Sequence, residues 1–151
     1  DLFERLKGIC RGSFIYHCGP VMKQTGGDEW ECCAGGPTTS IREEPYEAEV
    51  MEALGVSGVI GKGGMGKKTL AALKDRGAVY LSAVGGAAAA AASSVKKVHD
   101  VFRLDLGMPE AIWVMELKDF PAVVTMDSHG ASIHENVLHN SQKNLVALLK
   151  E

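Results

Sequence analysis

The sequence predicts an α/β fold built around a mixed sheet. Three observations carry that expectation. Through the middle of the chain, short apolar runs alternate with segments of helical spacing: Ser57 to Ile60, Lys67 to Lys74, Ala78 to Val84. Glycines stand where the helical segments must stop, at Gly55 and Gly77, and glycine is the residue that most readily closes a helix in a left-handed conformation. Further strand-like stretches flank the alternation on both sides, so not every strand can be parallel. At 151 residues, with 46% hydrophobic and 23% charged residues, residues 1–151 are expected to form one globular domain.

The elements follow in order. Asp1 to Lys7 has a short amphipathic pattern, with Leu2, Phe3 and Leu6 on one side. Gly12 to Cys18 reads as a strand, rich in aromatic and β-branched residues, and Gly19-Pro20 ends it. Val21 to Gln24 and Trp30 to Ala34 flank the turn residues Thr25-Gly26-Gly27-Asp28 and predict a hairpin. Thr38, Thr39 and Ser40 are helix-capping residue types. Glu43 and Glu44 suit the first turn of the helix that would follow. Pro45 must sit early in a helix or break it. Tyr46, Val50 and Leu54 then share a helical face. Gly61 to Gly66 is a loop, and Leu70 and Leu73 should face inward from the helix after it. Gly85-Gly86 leads into the alanine run Ala87 to Ala92, which predicts a helix continuing toward Val98. Phe102 to Leu106 reads as a strand and Gly107 to Glu110 as a turn, with Glu110 and Trp113 fixing the turn and the core. Ile112 to Leu117 and Ala122 to Met126 are two more strands, and Asp127-Ser128-His129-Gly130 is a polar loop whose Asp127 and His129 are structural or rim residues. Asn136 to Lys150 predicts a helix with Leu138, Leu145 and Leu149 on one stripe.

Several function classes are disfavoured. A net charge of −3 argues against nucleic acid held by bulk electrostatics. The longest small-apolar run, Ala83 to Ala92, is too short to span a bilayer. Cys10, Cys18, Cys32 and Cys33 have no CxxC spacing, and an adjacent pair is a poor metal clip. Reduced thiols and a cytoplasmic setting are expected. His17, His99, His134 and His139 have no ligand spacing and are expected as core or surface residues.

The chemistry concentrates in two stretches about twenty residues apart. Gly36-Pro37-Thr38-Thr39-Ser40-Ile41-Arg42 presents hydroxyls and a guanidinium; Gly61-Lys62-Gly63-Gly64-Met65-Gly66 presents an ammonium on a glycine loop. Together they suit a small anionic substrate. The glycine loop has a second reading. Gly61 to Thr69 follows a buried strand and opens a helix, and it resembles the phosphate loop of the deviant Walker A ATPases. It departs at Lys68, where such a loop needs a hydroxyl for Mg²⁺, with Thr69 one residue late. A nucleotide-binding module is therefore the rival from another class.

Taken together with Gly85-Gly86, with Leu106-Gly107-Met108-Pro109-Glu110-Ala111-Ile112-Trp113, with Asp119-Phe120-Pro121-Ala122 and with Asp127-Ser128-His129-Gly130, both stretches resemble one family in order and spacing. It is the β subunit, or C-terminal domain, of the iron–sulfur hydro-lyases: class I fumarate hydratase and L(+)-tartrate dehydratase. The resemblance runs from about Gly12 to the last strand. It implies a swivelling β/β/α domain whose active site is shared with an α subunit carrying a [4Fe–4S] cluster on three cysteines. One iron of that cluster would be open to the substrate hydroxyl and act as a Lewis acid. The implied reaction is reversible hydration of fumarate to malate, with L-tartrate the close rival, and an α₂β₂ assembly would match. Carried over residue by residue, Thr38 is the base of the family's motif or positions the substrate. Thr39, Arg42 and Lys62 bind it, Arg42 as a bidentate clamp and Lys62 as a point charge. Glu43 stands where the family usually has Met. The family's upstream Arg-Asp…His segment is not found, so the chain alone is expected to be inactive.

Overall fold

The computed structural model describes residues 1–149. Its elements are α1 (Leu2–Cys10), β1 (Phe14–Tyr16), β2 (Val21–Gly26), β3 (Glu29–Ala34), a 3-10 turn (Ser40–Glu43), α2 (Glu47–Leu54), β4 (Gly58–Gly61), α3 (Lys67–Arg76), β5 (Val79–Ala83), α4 (Ala88–Ser93), β6 (Val95–Phe102), a second 3-10 turn (Leu104–Leu106), β7 (Ile112–Leu117), β8 (Ala122–Met126) and α5 (Ile133–Leu148). The main sheet has the order β1-β4-β5-β8. β1, β4 and β5 run parallel, and β8 joins β5 antiparallel. The fold is α/β with a mixed sheet, as expected.

β4 is buried at all four positions, the pattern of a parallel strand covered on both faces. Val59 and Tyr80 from the sheet, Met51 from α2, Leu73 from α3 and Met126 from β8 form the centre of the core. Two antiparallel ribbons stand apart from the sheet, β2–β3 and β6–β7. Trp30 of one ribbon meets Trp113 of the other edge to face, with ring centroids 5.1 Å apart. The Trp113 indole also donates to the carbonyl of Met108, which fixes the turn before β7. Because β1, β4 and β5 are parallel, the loops that leave their C-terminal ends emerge together, the usual place for a ligand in such sheets.

Four expectations need correction. The alanine helix does not reach Val98. It ends at Ser93, and β6 begins at Val95, because Val95, Val98 and Val101 give the chain a β-branched partner face for β7. Only Phe102 of the expected strand Phe102 to Leu106 is extended; Arg103 turns left-handed at φ 58° and Leu104–Leu106 is a 3-10 turn. The C-terminal helix starts three residues earlier than expected, where the Ser132 hydroxyl accepts from the Glu135 amide. Its last expected residue, Lys150, lies outside the described residues, and its Leu138, Leu145, Leu149 stripe is exposed. On α2 the inward face is Glu47 and Met51, while Tyr46 is exposed.

Candidate active site

The backbone of residues 37–40 is laid across the C-terminal ends of β1 and β4. The Thr38 amide donates to the His17 carbonyl (2.7 Å), the Ser40 amide to the Lys62 carbonyl (3.1 Å) and the Lys62 amide to the Thr38 carbonyl (3.3 Å). Thr39 and Lys62 form a parallel bridge, and Cys18 and Pro37 an antiparallel one. Thr38, Thr39 and Lys62 are thus held on adjoining backbone ribbons. Thr38 is exposed; Thr39 and Lys62 are half-buried. A Cβ on Gly85 would stand 3.3 Å from Lys62 Cδ and 3.7 Å from its Nζ, so the lysine stem runs over a glycine that leaves it room. Arg42 lies on the 3-10 turn just beyond and is exposed. Among the described residues, neither Arg42 nor Lys62 enters an ion pair. Thr38, Thr39 and Lys62 are therefore neighbours along the backbone, on one ledge, with Arg42 on the next turn.

Ser40 is not a helix cap. Its hydroxyl is fully buried, 2.9 Å from His17 Nδ1, and it accepts from the Tyr80 hydroxyl at 2.8 Å. His17 Nε2 lies 3.0 Å from Glu47 Oε2. All four residues are buried. Thr39 occupies the cap position but makes no side-chain capping bond. Sequence reasoning missed this quartet. His17, Ser40, Glu47 and Tyr80 come from four separate segments, and no spacing rule joins them. One local signal existed: Glu47 is four residues before the core residue Met51, so it shares the inward face of α2.

The glycine loop is answered by a carboxylate. Glu44 accepts from the amides of Gly66 (2.7 Å), Lys68 (2.9 Å) and Thr69 (3.4 Å) and from the Thr69 hydroxyl (2.7 Å). These are the donors at the start of α3 that a phosphate loop would aim at its ligand. Glu44 fills that place, and Lys67 is turned outward toward Glu135 at 3.8 Å. The nucleotide reading fails on this geometry. Glu44 does not sit in a helix first turn as expected: it follows the 3-10 turn, and its carboxylate caps α3 from outside.

The remaining polar candidates are structural. Asp127 Oδ1 accepts from the amides of His129 and Ala131, and these bonds hold its carboxyl below its usual range. His134 hydrogen-bonds Thr125 at 2.9 Å and packs its ring against Gly64. Burial pushes its pKa down. His99 pairs with Glu116 on an exposed face. The four cysteines are free. Burial, with Cys32 nearby, pushes the Cys18 thiol up to about 12, and Cys10 and Cys32 are raised as well. An iron–sulfur cluster needs thiolates. Among the described residues, no group of three or more His, Cys, Asp or Glu side chains is placed to hold a metal ion. The donor set of this chain does not fit a cluster.

Residues 5–137 match a family model described as Fumarase C-terminus. A protein of Geobacillus stearothermophilus named as a class I fumarate hydratase is 54% identical over 134 residues, 89% of this chain and 26% of its own length. A protein of Methanocaldococcus jannaschii named as an L(+)-tartrate dehydratase subunit beta is 49% identical over 136 residues, 89% of this chain and 69% of its own. The L(+)-tartrate dehydratase subunit beta of Escherichia coli K12 is 41% identical over 123 residues, 81% of this chain and 61% of its own. The chain thus spans about a quarter of the first relative and about two thirds of the other two.

Proposed function

The chain belongs to the Fumarase C-terminus family, and on that premise we propose that it is the β-type chain of a hydro-lyase that reversibly hydrates fumarate to malate. Residues 1–151 are read as one such domain, and the active site is shared with an α subunit that holds the [4Fe–4S] cluster. The subunit names of two relatives support a partner chain. A cytoplasmic setting goes with this reading, which four free cysteines suit.

The residues of this chain have definite work in that reaction. In the dehydration direction a proton leaves the carbon next to a carboxylate, and negative charge grows on that carboxylate. Lys62 and Arg42 face the growing charge as cations, and Thr39 adds a hydroxyl donor. Electrostatic groups aimed at developing charge are the strongest lever such a site has. Thr38, as its alkoxide, takes the proton, while the hydroxyl on the neighbouring carbon leaves as hydroxide and the double bond forms. The partner's cluster, when bound, would supply the Lewis acid for that departure. The Thr38 hydroxyl is a weak base unless its alkoxide is stabilised, and the Lys62 ammonium on the adjoining ribbon provides that stabilisation. The observation that supports the reading is the docking of the Thr38–Ser40 backbone on Lys62, which brings the backbone of both threonines beside that of the lysine. L-Tartrate is the second reading for the substrate, favoured by the names of two relatives.

The test is an anaerobic assay with the chain, its iron–sulfur partner, and fumarate and L-tartrate in parallel. Fumarate consumed only when both chains are present is the expected result. Tartrate converted instead would keep the ledge and change the substrate. Turnover of neither by a formed, cluster-loaded complex would overturn the hydro-lyase reading.

A further inference from the structure

We propose that His17, Glu47 and Tyr80, acting through Ser40, are positioning residues of the anion ledge: a buried hydrogen-bond spine that sets the spacing between the Thr38–Thr39 hydroxyls and Lys62. The proposal rests on the hydro-lyase reading for what the ledge binds, but not for the existence of the spine.

The spine has a direction. An ionised Glu47 can only accept, so Nε2 of His17 carries a proton and donates to Oε2. Tyr80 donates its hydroxyl hydrogen to Ser40. The Ser40 hydrogen then points to Nδ1 of His17, which is left as an acceptor. With a proton on both ring nitrogens, Ser40 would receive two donors and its own hydrogen would face none. The donor order from Tyr80 through Ser40 and His17 to Glu47 gives every side-chain hydrogen of the spine an acceptor. The spine thus runs from β5 through the 3-10 turn and the residue after β1 to α2.

Two members, His17 and Ser40, also touch the ledge through backbone. The carbonyl of His17 receives the Thr38 amide, and the amide of Ser40 is bonded to the Lys62 carbonyl. The ring of His17 and the hydroxyl of Ser40 therefore pin, from below, the two peptide units that carry Thr38 and Lys62 above. Ser40 is fully buried, so no substrate reaches it and the quartet is not a nucleophilic centre. Its placement also has a cost. Glu47 Oε1 is buried with no hydrogen-bond partner, and an unsatisfied buried acceptor is destabilising. A core chosen for stability alone would place an apolar residue beside Met51.

The experiment compares Tyr80→Phe, Ser40→Ala, Glu47→Ala and Glu47→Gln with the unaltered protein, by two readouts. The first is residue-resolved amide hydrogen exchange of the chain, followed at Thr38, Ser40 and Lys62. The Lys118 amide, bonded to Ser94 in the distant ribbon region, is the internal reference. Tyr80→Phe and Ser40→Ala should speed the three ledge amides about tenfold or more relative to Lys118. The second readout is kcat and KM of the complex with the iron–sulfur partner. The same variants should lower kcat on the order of 10²-fold with a smaller change in KM, as expected when reacting groups are displaced without being removed. Glu47→Gln still accepts from His17 and should recover most of what Glu47→Ala loses. Exchange that rises equally at Lys118, or ledge amides that stay protected in Tyr80→Phe and Ser40→Ala, would overturn the spine. Loosened ledge amides with unchanged kcat would overturn its role in the site. If the unaltered complex turns over neither dicarboxylate, the hydro-lyase reading fails, and the exchange data still decide whether the spine holds the ledge.

Discussion

Gly61 has no room for a methyl group. A Cβ there would stand 1.9 Å from Ser40 Oγ, 3.0 Å from the Tyr80 hydroxyl and 3.2 Å from His17 Nδ1. The first of these cannot be met without moving the buried quartet. Gly61→Ala should cost about 1–3 kcal/mol, the range of overpacked cores, read as a lowered urea midpoint with unchanged slope. Gly63 makes a control: nothing lies within 4 Å of its Cβ position, and only its φ of +81° opposes a side chain. Gly63→Ala should cost about 1–2 kcal/mol from backbone strain and leave the Ser40 environment intact. His134 gives a pH prediction with a definite sign. Burial lowers its pKa below 6.5, so the unfolded chain takes up the proton first as pH falls. Its contribution is complete above about 6.5 and is lost as pH falls from there through the lower folded value. An NMR titration should place His134 below the ordinary histidine value of 6.5, and His134→Gln should flatten the loss of stability across that window.

Between elements, the carboxylate of Glu44 ties the turn after the 3-10 segment to the start of α3. It satisfies three of the helix's orphan amides and brings negative charge to the positive end of the dipole. Glu44→Ala should cost about 1–2 kcal/mol, as for other lost caps. Glu44→Gln should recover part of this, because its amide oxygen accepts without the charge. Here the limit of sequence reading is visible in physical terms. Signals that act within a few residues were legible: the closing glycines at Gly55 and Gly77 both adopt left-handed caps, and the Thr25 to Asp28 turn joins a hairpin. Whether Ala87 to Val98 stays helical was decided by the pairing of β6 with β7, which propensity does not see. The Glu44 cap spans 22 to 25 residues, and the His17–Glu47 pair spans 30. At the site, the motif types pointed to Thr38, Thr39, Arg42 and Lys62. The buried groups beneath them were legible only once four elements had been brought together.

At the scale of the molecule, the ledge is open. Thr38 and Arg42 are exposed, and the Lys62 ammonium has no counter-charge among the described residues. A half-buried cation still open to water is screened and binds a small dicarboxylate weakly. The same cation becomes strong once water is excluded and the dielectric falls. A partner chain closing over the ledge would make that change, so the worth of Lys62 should depend on assembly. Lys62→Met tests this, because it keeps an apolar stem over Gly85 and removes only the charge. In the complex with the iron–sulfur partner it should lower kcat/KM on the order of 10²–10³-fold, the scale for losing one stabilising group in a closed site. Calorimetric binding of the dicarboxylate to this chain alone should change little, since the open ledge binds poorly to begin with. Gly85→Ala provides the graded comparison: its Cβ would press on the Lys62 stem at 3.3 Å without removing the ammonium, and should cost less in the same assay. Equal losses for Lys62→Met in the isolated chain and in the complex would mean that closure adds nothing to the cation. The ledge would then be a surface anion site rather than half of an active site.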